Sequence, residues 1–188
     1  MGRSFYTWHL TFQSSPVMAD VVSTFSPGLG KFETLDIVGS DGIHVTFQGL
    51  GFADEVSVED VSAIAAAVDR RCTGTGAIEI ELEQPHVDTE TVQMNVGPVR
   101  RLAEIRNMIR EGIGEVWGSA NVPESDRGFR PHITLAYSNG ARSMREIEQG
   151  IRGLHLSATK CRVESISLIR LNRDARRYEW EEIATVLL

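Results

Sequence analysis

The sequence predicts an α+β fold built on antiparallel sheets, and three features carry that reading. Strand-like and helix-like segments mix along the chain without the strict alternation of a doubly wound fold. The run Ala77-Ile78-Glu79-Ile80-Glu81-Leu82-Glu83 alternates apolar and acidic residues, the pattern of a strand with one face on a core and one in water. No linker or low-complexity stretch divides the 188 residues, of which 41% are hydrophobic and 24% charged. The whole of 1–188 is therefore expected to form one domain, undivided or as two small lobes sharing a core.

Each element has its own local reason. Phe5 to Phe12 is rich in aromatic and β-prone residues and stops at Ser14-Ser15-Pro16, which marks a first strand. Pro16 to Phe25 reads as a short helix, with a serine cap and Pro near its first position. Phe32 to Val38 and Ile43 to Gln48 read as strands, and the turn Gly39-Ser40-Asp41-Gly42 between them predicts a hairpin. Ser57-Val58-Glu59-Asp60 opens a helix whose apolar face is Val61, Ile64, Ala65 and Val68. Beyond the alternating strand, Thr91 to Val96 forms another. Pro98 then opens a helix with Val99, Leu102, Ile105 and Ile109 inward, ended by Gly112 and Gly114. Gly118 to Arg130 has loop composition, and a connection of that length is often functional. Pro131 to Tyr137 is a strand, which also turns Tyr137 to the core face, and Ser143-Met144-Arg145-Glu146 is a capping box before a helix through Ile147 and Ile151. Val163 to Leu171 and Tyr178 to Leu188 complete the set as two strands around the turn Asn172-Arg173-Asp174-Ala175.

Charge and composition narrow the function. Nineteen Lys and Arg against 26 Asp and Glu give a formal charge of −7, and its spread is uneven. Residues 1–94 hold four cations against fourteen acids, whereas residues 95–188 hold fifteen cations and twelve acids. An acidic total argues against sequence-independent binding of long duplex DNA, but not against a small site for one phosphate. Seventeen of the basic residues are Arg, the side chain suited to bidentate phosphate contacts, although a plain compositional bias explains most of them. No apolar run approaches the roughly 18–20 residues of a membrane span, and the start has no apolar signal core. Cys72 and Cys161 lie far apart and outside any Cys-x-x-Cys pattern. They read as reduced thiols, so a cytoplasmic protein without a membrane partner is expected.

The histidines hold the most specific signal. Of His9, His44, His86, His132 and His155, three begin the same tripeptide: His9-Leu10-Thr11, His44-Val45-Thr46 and His132-Ile133-Thr134. Chance predicts about 0.3 such matches at this composition. Each falls in a predicted strand, where residues i and i+2 share a face, so strand periodicity alone pairs an imidazole with a hydroxyl on one surface. A lone His-x-Thr is usually just the polar face of a strand. Two of them about ninety residues apart carry more weight, because two lobes would bring them face to face. Metal binding is the weaker reading, since no His-x-His, His-x-x-x-His or nearby Cys supplies ligand spacing. Imidazole serves as acid or base near neutral pH, and threonine hydroxyls donate to phosphate oxygens. Phosphodiester opening needs one acid, one base and such donors. Neither a metal nor another cofactor is required.

His44-Val45-Thr46-Phe47 and Arg127-Gly128-Phe129-Arg130-Pro131-His132-Ile133-Thr134-Leu135 resemble the paired motifs of the two-histidine phosphoesterase superfamily. Within it, the match is to the 2′-5′ RNA ligase/cyclic phosphodiesterase family, over nearly the whole chain. The resemblance implies a bilobal fold of two pseudo-symmetric halves around a central cleft. It also implies opening of 2′,3′-cyclic phosphates on RNA ends or small nucleotides, with 2′-5′ RNA ligation as a side activity. On this resemblance His44 and His132 are the acid/base pair, with His44 as acid and His132 as base, and Thr46 and Thr134 are the phosphate donors. Arg127, ahead of Arg130, is expected to supply the cation at the phosphate.

Phe129, Trp8 and Trp180 are candidates for stacking on a base. His9-Leu10-Thr11-Phe12-Gln13 nearly repeats the first motif but matches no family motif. His9 reads either as a half-buried structural residue or as a cleft residue that contacts substrate or orients a catalytic group. His86 and His155 read as structural or surface residues. A monomer is expected. The competing functional class is a nucleotide- or RNA-binding module that keeps the cleft without turnover.

Overall fold

The computed structural model describes residues 3–12, 15–125, 127–140, 144–156, 159–172 and 179–188. The chain runs β1 (Phe5–Thr11), α1 (Pro16–Leu29), β2 (Leu35–Ile37), β3 (His44–Phe52), α2 (Val58–Cys72), β4 (Ile78–Leu82), β5 (His86–Val87) and β6 (Thr91–Gly97). It continues with α3 (Val99–Trp117), β7 (His132–Ser138), α4 (Met144–Ile151), β8 (Lys160–Val163), β9 (Ser165–Asn172) and β10 (Glu179–Leu187). Two sheets result, one of four strands in the order β10-β9-β1-β3 and one in the order β2-β7-β6-β4-β8, with β5 paired to β6. All the registered pairings are antiparallel. The α+β architecture read from the sequence is thus the observed one, and each sheet carries one of the two family-like motifs, on β3 and β7.

The lobes interleave along the chain, because β9 and β10 return to pair with β1. Helices α2 and α3 pack on each other, α2 also against β10 and α3 against both β3 and β6. Helix α1 packs against α4 and β7. The core runs from Trp8, Leu10, Val45 and Phe47 through Ile105 and Ile109 to Met94, Ile133 and Leu135. Trp8 is fully buried within it, which removes Trp8 from the candidates for stacking on a base.

Several local expectations meet non-local facts. The predicted hairpin of the second and third strands does not form: β2 pairs with β7, while β3 pairs with β1 in the other sheet. A 3-10 turn at Ser40–Gly42 carries the chain between the sheets, and a turn signal alone cannot say which sheet the next strand joins. Helix α3 passes Gly112 and Gly114 and ends at Trp117, where Gly118 takes a φ of 85°. Gly112 is a packing residue instead, since a Cβ there would lie 2.6 Å from Val68 Cγ2 of α2. Helix α1 runs on through Pro27 to Leu29. The strand expected over 163–171 is β9, and the short β8 just before it, in the other sheet, is an element the sequence reading leaves out. Ser57 caps α2 as expected, accepting from the Asp60 N–H. Ser143 of the capping box, Gln13, Ser14 and residues 173–175 of the last turn lie outside the described residues.

Candidate active site

Both His-x-Thr strands are bent at the same place. In β3 the pairing with β1 steps from Thr46↔His9 to Gln48↔Trp8, leaving Phe47 as an extra residue. In β7 the pairing with β6 steps from Thr134↔Gln93 to Ala136↔Val92, leaving Leu135 extra. Each motif therefore ends in a β-bulge at its fourth, hydrophobic residue. Phe47 and Leu135 are 2% and 3% exposed, so each bulge drives a large side chain into the core. Their carbonyls bond outside the ladder: Arg106 Nε donates to Phe47 O at 2.8 Å, and the Val38 N–H donates to Leu135 O at 2.9 Å.

The bulges reset strand alternation, with consequences for what faces the cleft. Past Thr134, the side chain on the same face is that of Tyr137, which lines the cleft. Unbroken alternation turns Tyr137 to the core; the bulge reverses that. On β3 the bulge likewise brings Gly49 to the cleft face beyond Thr46.

Both imidazoles are locked in the same way. The Nδ1 of His44 lies 2.8 Å from the carbonyl of Gly42, and that of His132 lies 2.9 Å from the carbonyl of Arg130. A carbonyl only accepts, so each Nδ1 donates and Nε2 is the bare nitrogen of each neutral ring. His44, Thr46, His132 and Thr134 line one cleft of about 200 Å³, together with His9, Thr7, Glu124 and Tyr137. The arrangement offers two proton-transfer groups and two hydroxyl donors from facing strands of different sheets. Among the described residues, no three His, Cys, Asp or Glu side chains group as ligands for one ion.

His9 completes the first lobe's half of the site. It sits beside Thr46 in the β1–β3 pairing and is 2% exposed. Its ring stacks on His44 with centroids 4.3 Å apart and planes 2° from parallel. Its Nε2 lies 3.3 Å from Thr46 Oγ1, while its Nδ1 is buried without a hydrogen-bond partner among the described residues. Burial holds the His9 imidazole well below its usual pKa, and a charge on His44 would lower it further. Burial also lowers His44; the Gly42 carbonyl opposes this, and a charge on His132 adds to the lowering. The edge of Trp180 meets His44 at 5.8 Å between centroids, which places that indole beside the cleft rather than in the core.

The loop residues are placed differently. Arg127 and Arg130 are exposed, and neither they nor Phe129 is among the residues that line the cleft. The Phe129 ring packs at 6.0 Å from that of Phe47, with the Arg106 guanidinium 5.1 Å from its centroid. The cause is visible in α3. Arg106 Nη2 donates to Ser125 O and Arg110 Nη1 to Pro123 O, at 2.8 and 2.9 Å, pinning the loop to the helix. Gln48, fully buried, joins the same network through Arg110, Pro123 O and Glu124. Sequence reading misses these residues; two Arg one helical turn apart, next to the apolar positions of a helix, are the available signal. His86 bonds Gln93 at 3.2 Å, away from the cleft lining.

The comparisons with known proteins agree with this architecture. A search of curated proteins finds no match. Among solved structures, TT0787 of Thermus thermophilus aligns with a TM-score of 0.77 at 18% identity, over 98% of this chain and 97% of that one. E. coli LigT complexed with phosphate aligns at 0.69 and 17% identity, and LigT complexed with 3′-AMP at 0.69 and 18%. Both cover 100% of this chain and 99% of LigT. At such identities the likeness speaks for the fold. The family model of the 2′-5′ RNA ligase superfamily matches residues 39–175, a span that contains β3, β7 and both bulged motifs. With most of its length matched in this way, the chain belongs to the 2′-5′ RNA ligase superfamily.

Proposed function

We propose that the protein opens 2′,3′-cyclic phosphates, on RNA ends or small nucleotides, by metal-independent acid/base catalysis between His44 and His132. One observation supports this above the others: two imidazoles, each fixed through Nδ1 to a backbone carbonyl, share one cleft with two threonine hydroxyls. One Nε2 takes the proton of the attacking water as its oxygen bonds to phosphorus. A ring P–O bond breaks, and the other Nε2 gives its proton to the departing ribose oxygen. Thr46 and Thr134 donate to the non-bridging oxygens, where charge builds. Attack by a 5′-hydroxyl in place of water would give a 2′-5′ linkage by the same proton transfers. That LigT has been captured with phosphate and with 3′-AMP fits a nucleotide phosphate as the ligand class.

The test is incubation of the protein with nucleoside 2′,3′-cyclic phosphates in the presence of a chelator, with product followed by chromatography. Turnover to the monophosphate is expected. Affinity without product would make the protein a nucleotide-binding module, and activity lost to the chelator would make it a metal enzyme.

A further inference from the structure

His9 is a titratable group of the cleft that the acid/base reading leaves without a task, and its surroundings fix which nitrogen carries its hydrogen. A neutral imidazole has one N–H and one bare nitrogen. If Nδ1 carried the hydrogen, a buried donor would be left unpaired, an arrangement that folded proteins rarely tolerate. If Nε2 carries it, the donor meets Thr46 Oγ1 at 3.3 Å, and only an acceptor goes unpaired. Burial at 2% and a parallel ring of His44 at 4.3 Å both disfavour adding a second proton. The choice of tautomer then decides what Thr46 does. With its oxygen accepting from His9, the Thr46 hydroxyl hydrogen has to point elsewhere, and Thr46 lines the cleft.

We propose that His9 is a positioning residue: it donates Nε2–H to Thr46 Oγ1 and so aims the Thr46 hydroxyl hydrogen at the substrate phosphate. His9 is thus the opposite tautomer from His44 and His132, which donate through Nδ1. Its hydrogen bond is to Thr46, and the proposed effect on the reaction runs through that hydroxyl. The role rests on the cyclic phosphodiesterase reading for its effect on rate, but not for its effect on the resting protein.

The experiment has two parts so that the two readings fail separately. Long-range ¹H–¹⁵N spectra of the imidazoles in the substrate-free protein are expected to show His9 as the Nε2–H tautomer. His44 and His132 should show the Nδ1–H pattern in their neutral forms. An Nδ1–H His9 overturns the proposal whether or not the protein turns anything over. The second part is a double-mutant cycle on kcat for a nucleoside 2′,3′-cyclic phosphate with His9→Phe and Thr46→Ala. His9→Phe keeps a flat ring against His44 and removes the donor. It should lower kcat about ten-fold alone and less than about two-fold on top of Thr46→Ala. Equal losses in both backgrounds would make His9 a core filler and overturn the proposal. Absence of turnover in the wild type would instead sink the cyclic phosphodiesterase reading and leave the tautomer to decide for His9.

Discussion

The two His-x-Thr motifs are alike in what they present and unlike in what stands behind them. Each is a strand that ends in a bulge, with Nδ1 of its histidine bonded to the carbonyl two residues earlier. On β7 the bulged carbonyl is held by backbone, the N–H of Val38. On β3 it is held by a side chain, the buried Arg106. His44 has a second imidazole stacked on its face, whereas the strand neighbour of His132 is Asn95. The repeated part is the part that strand geometry supplies without help. The supports differ because a carbonyl needs a donor, and either main chain or side chain provides one.

If the motifs are equivalent in chemistry, removing either imidazole stops the reaction. His44→Ala and His132→Ala should each lower kcat/KM by about 10²–10⁴, the typical worth of a positioned acid or base. Circular dichroism should show both variants folded. Near-normal activity in one of them would mean that a single histidine carries the chemistry and that the symmetry is only structural.

The difference in support predicts a difference in stability. Arg106→Met removes the donors to Phe47 O and Ser125 O and leaves both acceptors short of a partner. The buried Phe47 carbonyl sets the cost at about 1–3 kcal/mol, read as a lower urea midpoint at constant slope. The β7 bulge offers no comparable handle, since its donor is main chain. An unshifted midpoint in Arg106→Met would show that the β3 bulge stands on strand pairing alone.

How much of this the sequence displays follows from how far each interaction reaches. The strand alternation that pairs His44 with Thr46 and His132 with Thr134 is local, and the tripeptides show it directly. The bulges at Phe47 and Leu135 are not local, because an extra residue is defined only against the partner strand. Alternation therefore puts Tyr137 on the wrong face, and the turn signal pairs β2 with β3, which lie in different sheets. Arg106 is lost among seventeen arginines, since only the fold reveals which of them is 5% exposed. His9 shares the tripeptide pattern, but its stacking on His44 depends on the register of β1 with β3.

The paired rings of the first lobe should also appear in the pH dependence of folding. Burial lowers the pKa of His9 and of His44 below the ordinary value of 6.5. Above pH 6.5 the rings are neutral in folded and unfolded chains alike, and stability is at its full value. Below it the unfolded chain binds protons that the folded rings refuse, so stability falls with pH, by up to about 1.4 kcal/mol per pH unit for each ring. Carboxylates contribute their own slope, so the measurement is a difference. Urea unfolding between about pH 7.5 and pH 5.5 should show a shallower loss for His9→Phe than for the wild type. Equal slopes would place His9 in surroundings that accept its charge.

The smallest effects should come from the loop that the sequence marks for the phosphate cation. Among the described residues, no Lys or Arg lines the cleft, and Arg127 and Arg130 are exposed on a loop whose carbonyls at Pro123 and Ser125 are held by Arg110 and Arg106. The Arg127 N–H is itself engaged with Ser125 Oγ at 3.1 Å. A loop held in this way keeps its guanidinium groups in water, where a charge acts on the cleft only through a screened field. On the proposed mechanism, the positive charge that meets the substrate then comes from a protonated imidazole of the His44–His132 pair. Arg127→Ala and Arg130→Ala should each change KM for a cyclic nucleotide and inhibition by inorganic phosphate by less than about two-fold, and raising the salt to about 0.5 M should erase even that. A ten-fold loss in Arg127→Ala would mean that the loop leaves its anchors on α3 and closes on the bound phosphate. Arg110→Met separates the cases: freeing the loop from Pro123 O and Gln48 should then tighten phosphate binding, whereas in a loop that only connects it leaves binding where it was.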